Sequence, residues 1–182
     1  MGLWFLHGKG IVYRDLKLDN VMIASDGHVK IADFGMCKEK MPYGTYTTTF
    51  CGTPDYLAPE ICEGWLPETS TVSRDLKYTS AVDFWTLGVV VYEMAMNMSP
   101  FEGESEDELF ASILNDDIVV EKFVSKPLRR FILGLMMRNP LDRLGCSRTG
   151  EEDCKHHAFF RDMVRSTSTH CFFVIGGIWR ST

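Results

Sequence analysis

Four residues with chemistry to offer stand near one another early in the chain: Asp15, Lys17, Asn20 and Asp33. Between the last two lie a pair of short apolar β-runs, Val21–Ala24 and Val29–Ala32, separated by Asp26-Gly27. An Asp-Gly step between apolar runs is a strong hairpin signal. A two-residue turn there sets Ser25 opposite His28, Ile23 opposite Lys30 and Asn20 opposite Asp33. Directly opposed residues hold their Cβ atoms roughly 4.5–5.5 Å apart on one face. On that register an amide oxygen and a carboxylate converge at the open end of the ribbon, and hard cations that travel with phosphates take such oxygen ligands. A plain Asn–Asp hydrogen bond closing a sheet edge would produce the same pairing. What favours cation chemistry is the company: Asp15 precedes Asn20 by five residues, flanked by Tyr13-Arg14 and by Lys17, and Asp33 runs on into Phe34-Gly35. A carboxylate base, a lysine and two metal ligands are then gathered by one hairpin and its entry loop.

The elements that must position this group are mainly helical. The opening residues, to Gly8, read as the end of an amphipathic helix stopped by Gly8 and Gly10. The span 36–78 is dense in Pro, Gly, Thr and Ser and predicts irregular structure. Ala81–Met96 is apolar on every side, the pattern of a buried central helix. Ser105 with Glu108 forms a capping box that opens a further helix running through Ile113. Leu128, Phe131, Ile132, Leu135 and Met136 mark an apolar helical stripe that Pro140 is expected to terminate. The fold class is therefore mainly α, a helical bundle around a buried central helix with one small β-hairpin.

The 182 residues are 45% hydrophobic and 24% charged, enough for one sizeable core. A net charge of −6 speaks against a nucleic-acid partner. The cysteines (Cys37, Cys51, Cys62, Cys146, Cys154, Cys171) form no C-x-x-C pair, so free thiols in a reducing compartment are expected, with no zinc site. The apolar runs at the start and at Cys171–Trp179 are too short to span a bilayer. The position that a myristoylation signal gives to Ser or Thr holds Leu6. No membrane anchor is expected.

Five motifs in order then carry a resemblance. Tyr13-Arg-Asp-Leu-Lys-Leu-Asp-Asn20 resembles the protein kinase catalytic loop, and Asp33-Phe-Gly35 the metal-binding motif after it. Phe50-Cys-Gly-Thr-Pro-Asp-Tyr-Leu-Ala-Pro-Glu60 is similar to the end of an activation segment, Asp83-Phe-Trp-Thr-Leu-Gly88 to the buried-helix motif, and Arg143 occupies the place of the partner of Glu60. Tyrosine before Arg14-Asp15 and the Phe-Cys-Gly-Thr-Pro run point to the AGC group. Runs such as Lys-Ile-Ala-Asp-Phe-Gly-Met-Cys-Lys-Glu resemble protein kinase C of conventional type. The resemblance extends from about Gly2 to about Asp162. It implies the large lobe of a kinase-like α+β fold over residues 1–162 and a divergent tail over 163–182.

The resemblance also implies roles. Asp15 accepts the proton of a substrate hydroxyl, Lys17 neutralises the transferring phosphoryl group and points to Ser/Thr substrates, and Asn20 and Asp33 hold Mg2+ beside ATP. Met22, Val90 and Met94 become an apolar stack beneath adenine, and Thr53 bonds toward Asp15 and Lys17. Thr49 is the residue an upstream kinase phosphorylates, its phosphate bridged by Arg14 and Lys38. Asp19 and Glu93, with the acidic run Glu102–Glu108, select protein substrates with Arg or Lys near the target Ser/Thr. Asp83 is a buried carboxylate on catalytic-loop amides, although Ser80 and Asp83 also fit a capping box. The location implied is cytoplasmic.

Some features depart from the pattern. There is no G-x-G-x-x-G and no V-A-I-K lysine, so the parts that roof the nucleotide in a kinase are not among these residues. Weak ATP binding by this chain alone is the expectation, and a non-catalytic module that binds substrates or partners is the second reading. The Ile61–Ala81 segment exceeds the family's by about ten residues, of the kind surface loops tolerate.

Overall fold

The computed structural model describes residues 2–64 and 76–161. Helix α1 (Gly2–Gly8) buries Leu3 and Leu6, and the chain turns away from it at Gly10, which takes a left-handed φ of +70°. A single 3-10 turn, Leu18–Asn20, leads into strands β1 (Val21–Ile23) and β2 (Val29–Ile31). After a long irregular stretch come a 3-10 turn at Pro54–Tyr56, the short helix α2 (Pro59–Cys62) and the central helix α3 (Val82–Met96). Helices α4 (Glu106–Asn115), α5 (Lys126–Leu135) and α6 (Gly150–Lys155) complete the lobe, with a last 3-10 turn at Ala158–Phe160. The insertion segment from 65 to 75, the tail from 162 onward, Cys171 and the Cys171–Trp179 run lie outside the described residues.

The mainly helical class holds, but the hairpin register does not. Met22 pairs with Lys30 and Ile23 with Val29, one residue away from the expected alignment. The connection is the three-residue loop Ser25–Gly27: the Ala24 amide bonds His28 O at 2.9 Å and the Gly27 amide bonds Ala24 O at 2.9 Å. Gly27 adopts φ +82° and Asp26 accepts from the His28 amide at 3.0 Å, the chemistry of a type I turn completed by a left-handed glycine. Asn20 therefore lies opposite Ala32, whose amide bonds Asn20 O at 2.9 Å, and not opposite Asp33.

Helix α3 is the centre of the core. Trp85 and Val89 are fully buried among residues of α2, α4 and α5, while Val90 packs into a second cluster with Leu3, Leu6, Tyr13 and Leu16. Its apolar character all round is nearly matched by its burial; Met94 is the exception, exposed at the C-terminal end. The helix stops at Asn97, a left-handed residue whose amide caps Glu93 O at 2.8 Å. A Cβ on Gly88 would stand 2.5 Å from Met136 Cγ, so the absence of a side chain is what lets α3 lie against the end of α5. The Ser105 cap forms as expected, with Ser105 Oγ accepting the Glu108 amide at 3.3 Å. Helix α5 buries its Phe131, Ile132 and Leu135 stripe but ends at Leu135, so Pro140 is not its terminator. The Met136 amide caps Ile132 O at 2.9 Å instead.

Arg143 joins α2 to this centre. Its Nη1 and Nη2 each donate to Glu60 at 2.8 Å, Nη1 also reaches Ala81 O at 2.9 Å, and Nε reaches Met137 O at 2.9 Å. The guanidinium lies 5.4 Å from the centre of the Trp85 ring. Nη2 also reaches Arg138 O at 3.1 Å, so with Arg143 buried its removal strands the Glu60 carboxylate and three carbonyls. Arg143→Ala is expected to cost ~3–5 kcal/mol of stability, the range for breaking a buried pair by deleting one partner. Urea denaturation would show it; a loss below ~1 kcal/mol, the value of an exposed pair, would contradict the clamp.

Candidate functional site

The loop that holds Asp15 is hung from α3 by one carboxylate. Asp83, 0% exposed, accepts the Tyr13 amide on Oδ2 at 2.8 Å and the Arg14 amide on Oδ1 at 2.7 Å. His7 Nε2 of α1 lies 2.7 Å from Oδ2. No side-chain cap forms with Ser80, so the carboxylate is spent on the loop rather than on its own helix. Arg14 is held at φ +71°, a conformation that costs a non-glycine residue about 1 kcal/mol or more and needs such fixing.

Beyond Arg14 the functional side chains meet. Thr53 Oγ1 donates to Asp15 Oδ1 at 2.8 Å and accepts from Lys17 Nζ at 2.9 Å; Lys17 Nζ is also 3.2 Å from Asp15 Oδ2. Asn20 Nδ2 donates to Asp15 O at 2.8 Å and to Asp15 Oδ2 at 3.2 Å. Thr53 comes this close because Gly52 sits at φ +122°, where a Cβ would lie 2.8 Å from Leu57 and 3.2 Å from Arg14 O. The contacts expected of Thr53 with Asp15 and Lys17 are present.

Asp33 is not placed by the hairpin pairing. It lies one residue past the ladder, exposed, with φ +56°, and its Oδ1 accepts the Gly35 amide at 3.1 Å. Tyr13, wholly buried, connects the parts: its hydroxyl donates to Ala32 O and its ring meets Phe34 edge-on at 5.5 Å. The phenol's pKa is pushed well up, first by burial and then by the charges of Cys37, Asp15 and Asp33. Those carboxylates therefore act on one hydroxyl. The Asn20 nitrogen is turned to Asp15, which leaves its amide oxygen unused by the loop, and Asp33 keeps a carboxylate oxygen beyond its bond to Gly35. Among the described residues no group of three or more His, Cys, Asp or Glu could hold a metal by itself. Oxygen donors of this kind could hold a hard divalent cation that keeps waters in its shell.

The regulatory candidates are linked by a residue that the sequence did not single out. Arg14 Nε donates to Met36 O at 2.7 Å, and Nη1 donates to Tyr78 OH at 3.2 Å, which in turn donates to Thr49 O at 2.6 Å. Burial pushes the Tyr78 hydroxyl up to about 12. Thr49 and Lys38 are exposed, and the Lys38 backbone is bridged to Val12 by two bonds of 2.9 Å. On the acidic side, Glu93 accepts from Tyr56 OH at 2.7 Å. Burial raises the Glu93 pKa, and the Asp55 and Asp19 carboxylates raise it further, so three acids share one field. Asp55 and Tyr56 belong to this group although sequence reasoning passed over them; their place in the Phe50–Glu60 run was the available signal.

The adenine stack is corrected. Met22 and Met94 are 54% and 62% exposed, but Val90 is 2% exposed and closed into the core, with no face to offer a ligand. The described cysteines are all free, and burial pushes the Cys37, Cys62, Cys146 and Cys154 thiols up to about 12. No helix among the described residues is long and apolar enough to cross a membrane.

Exchanging Asp83 for Asn puts an NH2 group against the Tyr13 or the Arg14 amide. Asp83→Asn is expected to destabilise by ~1–3 kcal/mol, the cost of orphaning a buried donor, and to speed hydrogen exchange at both amides. Unchanged exchange at those two positions would refute the anchor.

Comparison with known proteins gives a protein kinase domain match over residues 1–160. The chain is 47% identical over 163 residues to rabbit (Oryctolagus cuniculus) protein kinase C epsilon type, covering 88% of this chain and 21% of that protein. It is 50% identical over 163 residues to Serine/threonine-protein kinase N2 of Danio rerio, covering 90% and 16%. Against protein kinase C eta type of Homo sapiens the identity is 46% over 169 residues, covering 92% and 23%. The chain thus spans about a fifth of the length of the curated relatives it matches.

Proposed function

The chain belongs to the protein kinase domain family, within its protein kinase C-like AGC branch, and we propose that it carries the substrate-side half of a site that transfers the γ-phosphate of ATP to Ser or Thr. The observation that supports this most is the closed group of Asp15, Lys17 and Thr53, with Thr53 Oγ1 bonded to both neighbours at 2.8 and 2.9 Å. Thr53 fixes Asp15 Oδ1, so the carboxylate is oriented before a substrate arrives and receives the proton of the attacking hydroxyl. Lys17, the cation of the group, offsets the charge on the phosphoryl group in flight. Asn20 and Asp33 are the oxygen donors for Mg2+, which when bound supplies neutralising charge to the phosphates. Met22 is the exposed apolar side chain available to the nucleotide base.

Asp19, Asp55 and Glu93 make the docking field for Arg or Lys near the target residue. Phosphorylation of Thr49 by an upstream kinase adds about −1.5 to −2 charge next to Arg14 and Lys38, ordering the segment that holds Thr53. A cytoplasmic location fits an ATP-using enzyme with free thiols.

Incubation of the chain with labelled ATP, Mg2+ and an Arg-rich Ser peptide tests the transfer. Asp15→Asn is expected to lower turnover by ~10²–10⁴; a change below tenfold overturns the assignment, and peptide binding with no transfer reduces the chain to a docking module. Glu93 supplies a second check. Its raised pKa means that acidification neutralises it before an ordinary glutamate, near pH 4.3, does so. Affinity for the basic peptide should begin to fall above that ordinary range, and Glu93→Gln should lower the affinity near neutral pH and remove that early step.

A further inference from the structure

A concavity of about 480 Å³ opens at the N-terminal end of α5 and is lined by Lys122, Val124, Lys126, Arg129 and Arg130. It shares no residue with the phosphotransfer group. Four cations around one hollow are unexpected in a chain of net charge −6. None of the four forms an ion pair among the described residues. The nearest acid in sequence, Glu121, offers its backbone carbonyl to Arg129 Nη2 at 2.8 Å, while its carboxylate bears on Tyr92. Arg129 Nε is a buried donor with no hydrogen-bond partner. Orphaned buried donors are rare, and this one belongs to a side chain that lines the hollow. Helix α5, ten residues long, adds the positive end of its dipole, with Ser125 capping the Leu128 amide at 3.4 Å.

We propose that this hollow binds the phosphorylated side chain of a peptide whose flanking residues are apolar. A phosphate monoester supplies the dianionic charge and the several acceptor oxygens that the four cations lack. Phe123, between two lining residues in sequence and 75% exposed, is the surface that apolar neighbours of the phosphate would cover. An anionic membrane fits less well. It presents an extended negative plane, which the overall negative charge and the exposed acidic start of α4 would repel, whereas a single phosphate can enter a hollow.

The test requires no catalysis, so its result is independent of the phosphotransfer reading. Fluorescence anisotropy on the 182-residue chain, without nucleotide or Mg2+, compares a phosphoserine peptide with Leu and Phe flanks against its unphosphorylated form. Binding at least tenfold tighter for the phosphopeptide is expected. The pair Lys122→Glu and Lys126→Glu, both exposed and so compatible with the fold, should abolish the difference, and Arg129→Gln, with circular dichroism as a folding check, should reduce it. Equal binding of the two peptides, or a preference that survives the double variant, overturns the proposal. So does sedimentation with phosphatidylserine–phosphatidylcholine vesicles that needs these lysines while the phosphopeptide shows no preference; the hollow would then be a lipid contact.

Discussion

A buried carboxylate with no access to water carries the arrangement of this lobe. Asp83 belongs to the most deeply packed helix, yet its oxygens are committed to the backbone of a loop some seventy residues earlier in the chain. Burying an ionised group is costly unless it is fully bonded, and here the bonding is the loop's own architecture. Two amides that would otherwise be orphaned at a sharp turn satisfy the acid, and the acid holds the turn in its left-handed form. Everything downstream of Arg14, from Asp15 to Asn20, inherits its position from that exchange.

The same logic is repeated with opposite charge at Arg143. A cation buried against Trp85 is tolerated because a carboxylate and three backbone carbonyls share it. One anion thus fixes the catalytic loop and one cation fixes the end of the segment that carries Thr53, both on the helix α3 side of the core. The two anchors fix the loop of Asp15 and the segment of Thr53, and the contact of those side chains at 2.8 Å is where the constraints meet.

The resemblance of the motifs to a known family was a good guide to pairs far apart in the chain. The Glu60 and Arg143 pair, the Asp83 anchor and the Thr53 contacts, each of which is formed, were all legible through it. The hairpin was not. Asp-Gly is compatible with a two-residue or a three-residue loop, and the choice was made by Asp26 bonding the His28 amide, which shifts every opposed pair by one. Asn20 is bonded to Asp15 and Asp33 to the Gly35 amide, so neither side chain takes its place from the ladder. Tyr78 and Asp55 were invisible for a different reason: their roles depend on contacts with residues tens of positions away or on a shared field, and neither leaves a local pattern. Val90 shows the converse, since an apolar residue in a familiar motif was assigned a ligand face that packing had already used.

The bare backbone at Gly88 has a mechanical meaning. With no side chain between them, α3 and the end of α5 are in contact over Met136 and Leu135. The loop bonded to Asp83 and the cationic hollow at the head of α5 are therefore carried by two helices that meet over bare backbone, with the close packing of a protein interior between them.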